Sequence, residues 1–151
     1  MTRRALACVA LLALAAGIAC SARADGPPHL EEDRTACAHC GMLVSERMFA
    51  AGYRTAAGEA KVFDDIGCLL AAARAEAGAD TQYWFHDAPS RAWIEGRRAV
   101  FVHAPGLKTP MAGGLTAYAD EAAAREAAAA HGGRVVGSLD RLLEEQKAGK
   151  W

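Results

Sequence analysis

Cys37-Ala38-His39-Cys40-Gly41-Met42 gathers two thiols, one imidazole and one thioether into six residues. Soft sulfur donors select Cu(I), Zn(II) or iron–sulfur clusters. A thioether in the set tilts the choice toward Cu(I), because methionine binds Zn(II) poorly. The same Cys-x-x-Cys spacing also serves a redox dithiol or a short structural disulfide. A second sulfur stands far downstream. Met111 lies between Pro110 and the pair Gly113-Gly114, in a loop with little apolar company, and reads as an exposed ligand rather than core. The primary metal candidates are therefore Cys37, Cys40, Met42 and Met111. Secondary candidates are Cys68, His103 and His86. Cys68 falls in the first turn of an expected helix, where a thiol's pKa can drop, although its neighbours Leu69 and Leu70 suit a core cysteine. His86 and His103 fall at strand ends. His29 reads as solvated and Met48 as core.

The compartment follows from the first residues. Arg3 and Arg4 precede an uncharged Ala/Leu-rich run from Ala5 to Ala22, which is the build of a secretory signal over residues 1–24. The run is short and alanine-diluted for a spanning helix, which needs about 20 strongly apolar residues. Gly17-Ile18-Ala19-Cys20 resembles a lipoprotein processing box, with glycine where leucine is usual, and would leave Cys20 lipidated at the new N-terminus. Ala22-Arg23-Ala24 offers the alternative cut, which would leave a soluble periplasmic protein. Cleavage before Cys20 removes two of 17 basic residues and none of 18 acidic ones, for a net charge of about −3 with no basic footprint for nucleic acid. Of five cysteines, either cut removes Cys8. The remaining folded thiols would meet an oxidising compartment. There a thioether stays a ligand across ordinary pH, because it has no proton to lose.

The elements that must position these residues follow in order. Residues 25–36, with Pro27-Pro28 and Glu31-Glu32-Asp33, read as a tether. Phe49–Thr55 and Ala60–Phe63 read as a hairpin around Ala56-Ala57-Gly58-Glu59. Asp64 and Asp65 are N-cap candidates for a helix whose Ile66, Leu69, Leu70 and Ala73 share one face, stopped at Gly78. Gln82–Phe85 is a short aromatic strand, followed by turn chemistry at Asp87-Ala88-Pro89-Ser90. Arg91–Ile94 and Ala99–His103 read as two strands. The Met111 loop follows, then an alanine-rich helix from Ala119 to Ala130. Arg134–Gly137 is a strand, and Ser138 caps a last helix over Leu139–Lys147. The order strand, strand, helix, strand occurs twice. The expected fold is α+β, with one ββαβ unit over residues 37–88 and a second over residues 89–151.

Together these residues resemble the NosL family, copper-chaperone lipoproteins that accompany nitrous oxide reductase. The resemblance rests on Cys37-x-x-Cys40-Gly41-Met42, on Phe63-Asp64-Asp65-Ile66-Gly67-Cys68-Leu69 and on Trp84-x-x-Asp87 with Trp93 downstream. Thr109-Pro110-Met111 with Gly114-Leu115, and His131-Gly132-Gly133, complete it across nearly the whole mature chain. The likeness implies two ββαβ units and an anchored position facing the periplasm, on the outer rather than the inner membrane. It also implies one Cu(I), with thiolate from Cys40 or Cys37 and thioether from Met111 and Met42. The implied partners are a membrane copper-handling complex or an apo-cuproenzyme, nitrous oxide reductase first. No Ser/His/Asp cluster, phosphate loop or carboxylate pair is legible, so the expectation is a delivery protein and not an enzyme. The rivals are a thiol–disulfide oxidoreductase, which needs a low-pKa Cys37, and a structural zinc or disulfide module built on Cys37, Cys40, Cys68 and one histidine.

Overall fold

Residues 25–150 are described by a computed structural model. The expected signal segment and Cys20 lie outside the described residues. The chain builds β1 (Ala51–Arg54), β2 (Ala60–Phe63), α1 (Ile66–Glu76), β3 (Gln82–His86), β4 (Trp93–Glu95), β5 (Val100–His103), β6 (Leu115–Tyr118), α2 (Glu121–Ala130), β7 (Arg134–Gly137) and α3 (Leu139–Lys147). Each helix starts on a side-chain cap. Asp65, Asp120 and Ser138 accept from the backbone N–H of Gly67, Ala123 and Arg141, which satisfies amides that no preceding turn can serve.

The strands form two antiparallel sheets, ordered β2-β1-β3-β4 and β6-β5-β7. A single core joins them. Tyr53, Phe63 and Phe85 from the first sheet meet Phe101, Leu115 and Val136 from the second, with Ile66, Leu69 and Leu70 of α1 and Leu139 and Leu142 of α3. The rings of Phe85 and Phe101 cross this junction edge to face, 4.7 Å between centroids, a favoured aromatic geometry. On its other face the second sheet is covered by Ala124 and Ala128 of α2 against Val102, Ala104 and Tyr118.

The α+β fold of two ββαβ units holds, as β1-β2-α1-β3 and β5-β6-α2-β7, with two corrections to the strands. β4, expected to open the second unit, pairs instead with β3 through Trp84–Glu95, Phe85–Ile94 and His86–Trp93. Its place in the second unit is filled by β6, which sequence reading missed. All four β6 residues are buried, but the strand is only four residues long, follows the Gly113-Gly114 pair, and its Ala117 runs into the alanines of the next helix. The expected tether is also shorter than it read. Leu30 is buried with Val44, Ala50 and Val62 on the outer face of the first sheet. Asp33 N–H donates to Val44 O at 2.9 Å, and Ala36 bridges Leu43. Asp87 fastens the two units together. Its carboxylate accepts from Ala119 N–H at 2.9 Å and from Ser90 N–H at 3.1 Å, while Ala88 N–H donates to Ala117 O. Among the described residues, no helix is long and apolar enough to cross a membrane.

Candidate metal centre

The Cys-x-x-Cys segment is a tight backbone turn. Gly41 N–H donates to Cys37 O at 3.0 Å and Cys37 N–H to Met42 O at 2.7 Å. Gly41 sits at φ +77°, a conformation that costs glycine least. Ala38 N–H donates to Val62 O at 2.8 Å, which docks the turn on β2. The β1–β2 hairpin then delivers the chain to Asp64, Asp65 and the first turn of α1. The result is a cluster from three elements. The Cys37, Cys40 and Cys68 sulfurs and an Asp64 oxygen all lie within 4.8 Å of one another.

Cys37, Asp64 and Cys68 are buried, Cys40 is half-buried, and all three thiols are free. Cys40 Sγ donates to Asp64 Oδ1 at 3.5 Å, while Asp64 Oδ2 is buried without a hydrogen-bond partner. Buried polar atoms are almost always satisfied. A buried carboxylate with one unpartnered oxygen, clustered with three thiols, fits a position that a cation fills. Burial pushes the Cys37 thiol up, and the Asp64 hydrogen bond adds to the shift, against smaller opposing backbone contacts. Burial pushes Cys68 up strongly, with Asp64 and the Cys37 thiol adding. The lowering that a helix N-terminus could give Cys68 is thus overruled by desolvation, and Cys68 lies in the core as its leucine neighbours suggested. The redox rival needed a low-pKa Cys37, and the raised one makes it a poor nucleophile. A bound cation inverts this balance, because a coordinating thiol gives up its proton.

A cleft of about 470 Å³ opens beside the cluster, lined by His39, Cys68, His103 and Met111. Met111 is 46% exposed. Its loop is held at the base, where Gly114 N–H donates to Thr109 Oγ1 at 3.3 Å and Ala104 N–H to Gly114 O at 2.8 Å. At the tip, Met111 N–H donates to Asp65 Oδ2 at 3.2 Å. The fold therefore brings Cys37, Cys40 and Cys68 together and sets Met111 in the cleft that Cys68 lines. Met42 is 50% exposed, just beyond the Cys40 turn. His103 reaches the cleft from the end of β5, and burial holds its pKa below the usual imidazole value, the Arg134 guanidinium adding. His86 lies outside the cluster. It is buried on β3, with Nδ1 3.1 Å from Ala50 O and its ring 3.7 Å from that of Trp93.

Asp64 and His39 were missed in the sequence. The signal for Asp64 was that two consecutive N-cap candidates are one too many: a cap needs one acceptor, and Asp65 provides it, leaving Asp64 spare four residues before Cys68. His39 gave only its place between the two thiols.

The NosL family profile matches residues 28–142. No curated protein matches the chain. A solved structure described as the copper chaperone NosL from Shewanella denitrificans superposes with a TM-score of 0.66 at 17% identity, covering 78% of this chain and 96% of that one. At that identity the likeness is one of fold.

Proposed function

The chain belongs to the NosL family, and from that premise we propose that it is an exported Cu(I)-binding protein that hands copper to an apo-cuproenzyme. The carrying observation is the cluster of three free thiols from the Cys37 turn and α1, within 4.8 Å of one another, opening toward a cleft that Met111 lines. Thiolate and thioether donors match Cu(I) by softness. Half-buried Cys40 and half-exposed Met111 give an incoming partner sulfur or imidazole a route to the ion. Copper then leaves by ligand exchange, with no change of redox state and no catalytic step. The Arg3-Arg4 and Ala/Leu-rich start supports export, and Cys20 supports a lipid anchor on the periplasm-facing side of a membrane. Nitrous oxide reductase is the first candidate client, on the family resemblance, reached directly or through a membrane copper-handling complex.

Asp64 favours a second reading. A hard carboxylate adds nothing to a Cu(I) site, whereas three thiolates and a carboxylate make the closed four-donor set of a Zn(II) centre. Competition against chromogenic chelators separates the two. One tight Cu(I) equivalent, weakened separately by Cys40→Ser and Met111→Ala, supports delivery of copper. Tight Zn(II) binding indifferent to Met111→Ala, with only weak Cu(I) binding, supports the zinc centre.

A further inference from the structure

We infer that Asp65 is a positioning residue that ties the Met111 loop to the helix carrying Cys68, and so holds the thioether in the cleft where copper would be bound and released. The inference rests on the Cu(I) reading above and names the part of the fold that controls it. Asp65 is completely buried. One of its oxygens caps α1, accepting from Gly67 N–H at 2.6 Å. That is all a helix cap requires. The other oxygen accepts from Met111 N–H, 46 residues downstream.

Among the described residues, Asp65 supplies the one hydrogen bond that ties the tip of this loop to the rest of the fold. Thr109 O accepts from Ala112 N–H, which closes the turn that carries Pro110 and Met111, and Thr109 Oγ1 accepts from Gly114 N–H at the base; both bonds lie within the loop. Ala112 sits at φ +57°, a conformation that costs a non-glycine residue energy. Met111 itself is too exposed for packing to pin it. The first turn of α1 is cleared for the carboxylate at Gly67. A Cβ at Gly67 would stand 2.9 Å from Asp65 Oδ1. This accounts for a glycine in the first turn of α1, where it weakens a helix. The adjacent carboxylates thus divide the work: Asp64 faces the thiols, and Asp65 joins the thiol-bearing helix to the thioether loop. A shift of the α1 N-terminus is passed to Met111 through one carboxylate.

Asp65→Ser keeps a cap for Gly67 N–H but is too short to reach Met111. Asp65→Asn keeps one acceptor and loses the other. Both are measured in the otherwise intact protein, alone and with Met111→Ala. The readouts are Cu(I) affinity by chelator competition and the rate of Cu(I) transfer to the chelator. Co(II) serves as a probe of the thiolate cluster, through its sulfur-to-metal absorption. The expected result is a loss of Cu(I) affinity of about five- to tenfold in either Asp65 variant, the scale of one buried hydrogen bond. Transfer is faster, and the Co(II) spectrum is unchanged. In the Met111→Ala background the Asp65 substitutions add nothing. Wild-type affinity in Asp65→Ser and Asp65→Asn, while Met111→Ala alone weakens binding, overturns the positioning role and leaves the Cu(I) site standing. So does an equal loss in both backgrounds. If Met111→Ala itself leaves Cu(I) affinity unchanged, the Cu(I) reading fails at Met111 and the positioning role falls with it.

Discussion

His86 gives this protein an acid-sensitive element. Its Nδ1–H donates to Ala50 O at 3.1 Å, so Nε2 carries the lone pair, and Nε2 is buried without a partner. Protonating it would place a charge and a new N–H where nothing accepts them. Burial accordingly lowers the His86 pKa to about 4, the nearby Arg47 guanidinium adding, against the Ala50 carbonyl and the Glu32 carboxylate. An unfolded histidine titrates near 6.5, so between pH 6.5 and 4 the unfolded chain binds a proton that the folded one refuses. Stability is therefore intact above pH 6.5 and falls as pH drops toward 4. A difference of about 2.5 pKa units corresponds to about 3 kcal/mol. His86→Phe removes the titration and keeps an aromatic ring against Trp93. Ala50 O stays bonded, because His86 backbone N–H also donates to it at 3.2 Å. The assay is urea unfolding of both proteins from pH 7.5 to 4. Wild type is expected to lose about 3 kcal/mol more than His86→Phe across that range, with carboxylate effects common to both. Parallel pH profiles would refute the reasoning. Unchanged Cu(I) affinity in His86→Phe at pH 7 would remove His86 from the metal candidates.

Other perturbations act on named contacts. Gly114→Ala forces a Cβ into Ala104 O at φ +62°. It should cost about 1–3 kcal/mol, read as a lower Tm, and weaken Cu(I) binding by displacing the Met111 loop while leaving the Co(II)–thiolate spectrum intact. Asp87→Ala strips the acceptor from Ala119 N–H and Ser90 N–H. It should cost about 1–3 kcal/mol and speed hydrogen exchange at Ala119. Because the Cys68 thiol is pushed up, it is protonated at neutral pH and must release its proton to bind a cation, so affinity rises with pH. Cys68→Ser should lower the slope of log K against pH by about one, the share of a single proton. An unchanged slope would take Cys68 out of the ligand set.

The first unit was legible because its signals are local. The turn at Gly58, the Asp65 cap and the stripe of Ile66, Leu69, Leu70 and Ala73 placed β1, β2 and α1 close to where they stand. Two things were not local. β4 has an ordinary strand sequence, but its partner is decided by contacts between units, which no periodicity carries. β6 is four residues long, set between a glycine pair and an alanine-rich helix, too short for its pattern to stand out. In the site, cysteine spacing marked Cys37 and Cys40, while Cys68 showed only as one more thiol among leucines. Only folding shows that the turn and the helix meet, and that of two consecutive carboxylates Asp64 faces the sulfurs and Asp65 the loop. Residues 28–36 misread as a tether because one apolar anchor, Leu30, is lost among charges.

X-ray absorption at the copper edge of the Cu(I)-loaded protein tests the central claim most directly. The account predicts a copper ion surrounded by sulfur, with scattering that weakens in Cys40→Ser and again in Met111→Ala. Copper surrounded by nitrogen and oxygen, with a spectrum indifferent to both substitutions, would contradict it.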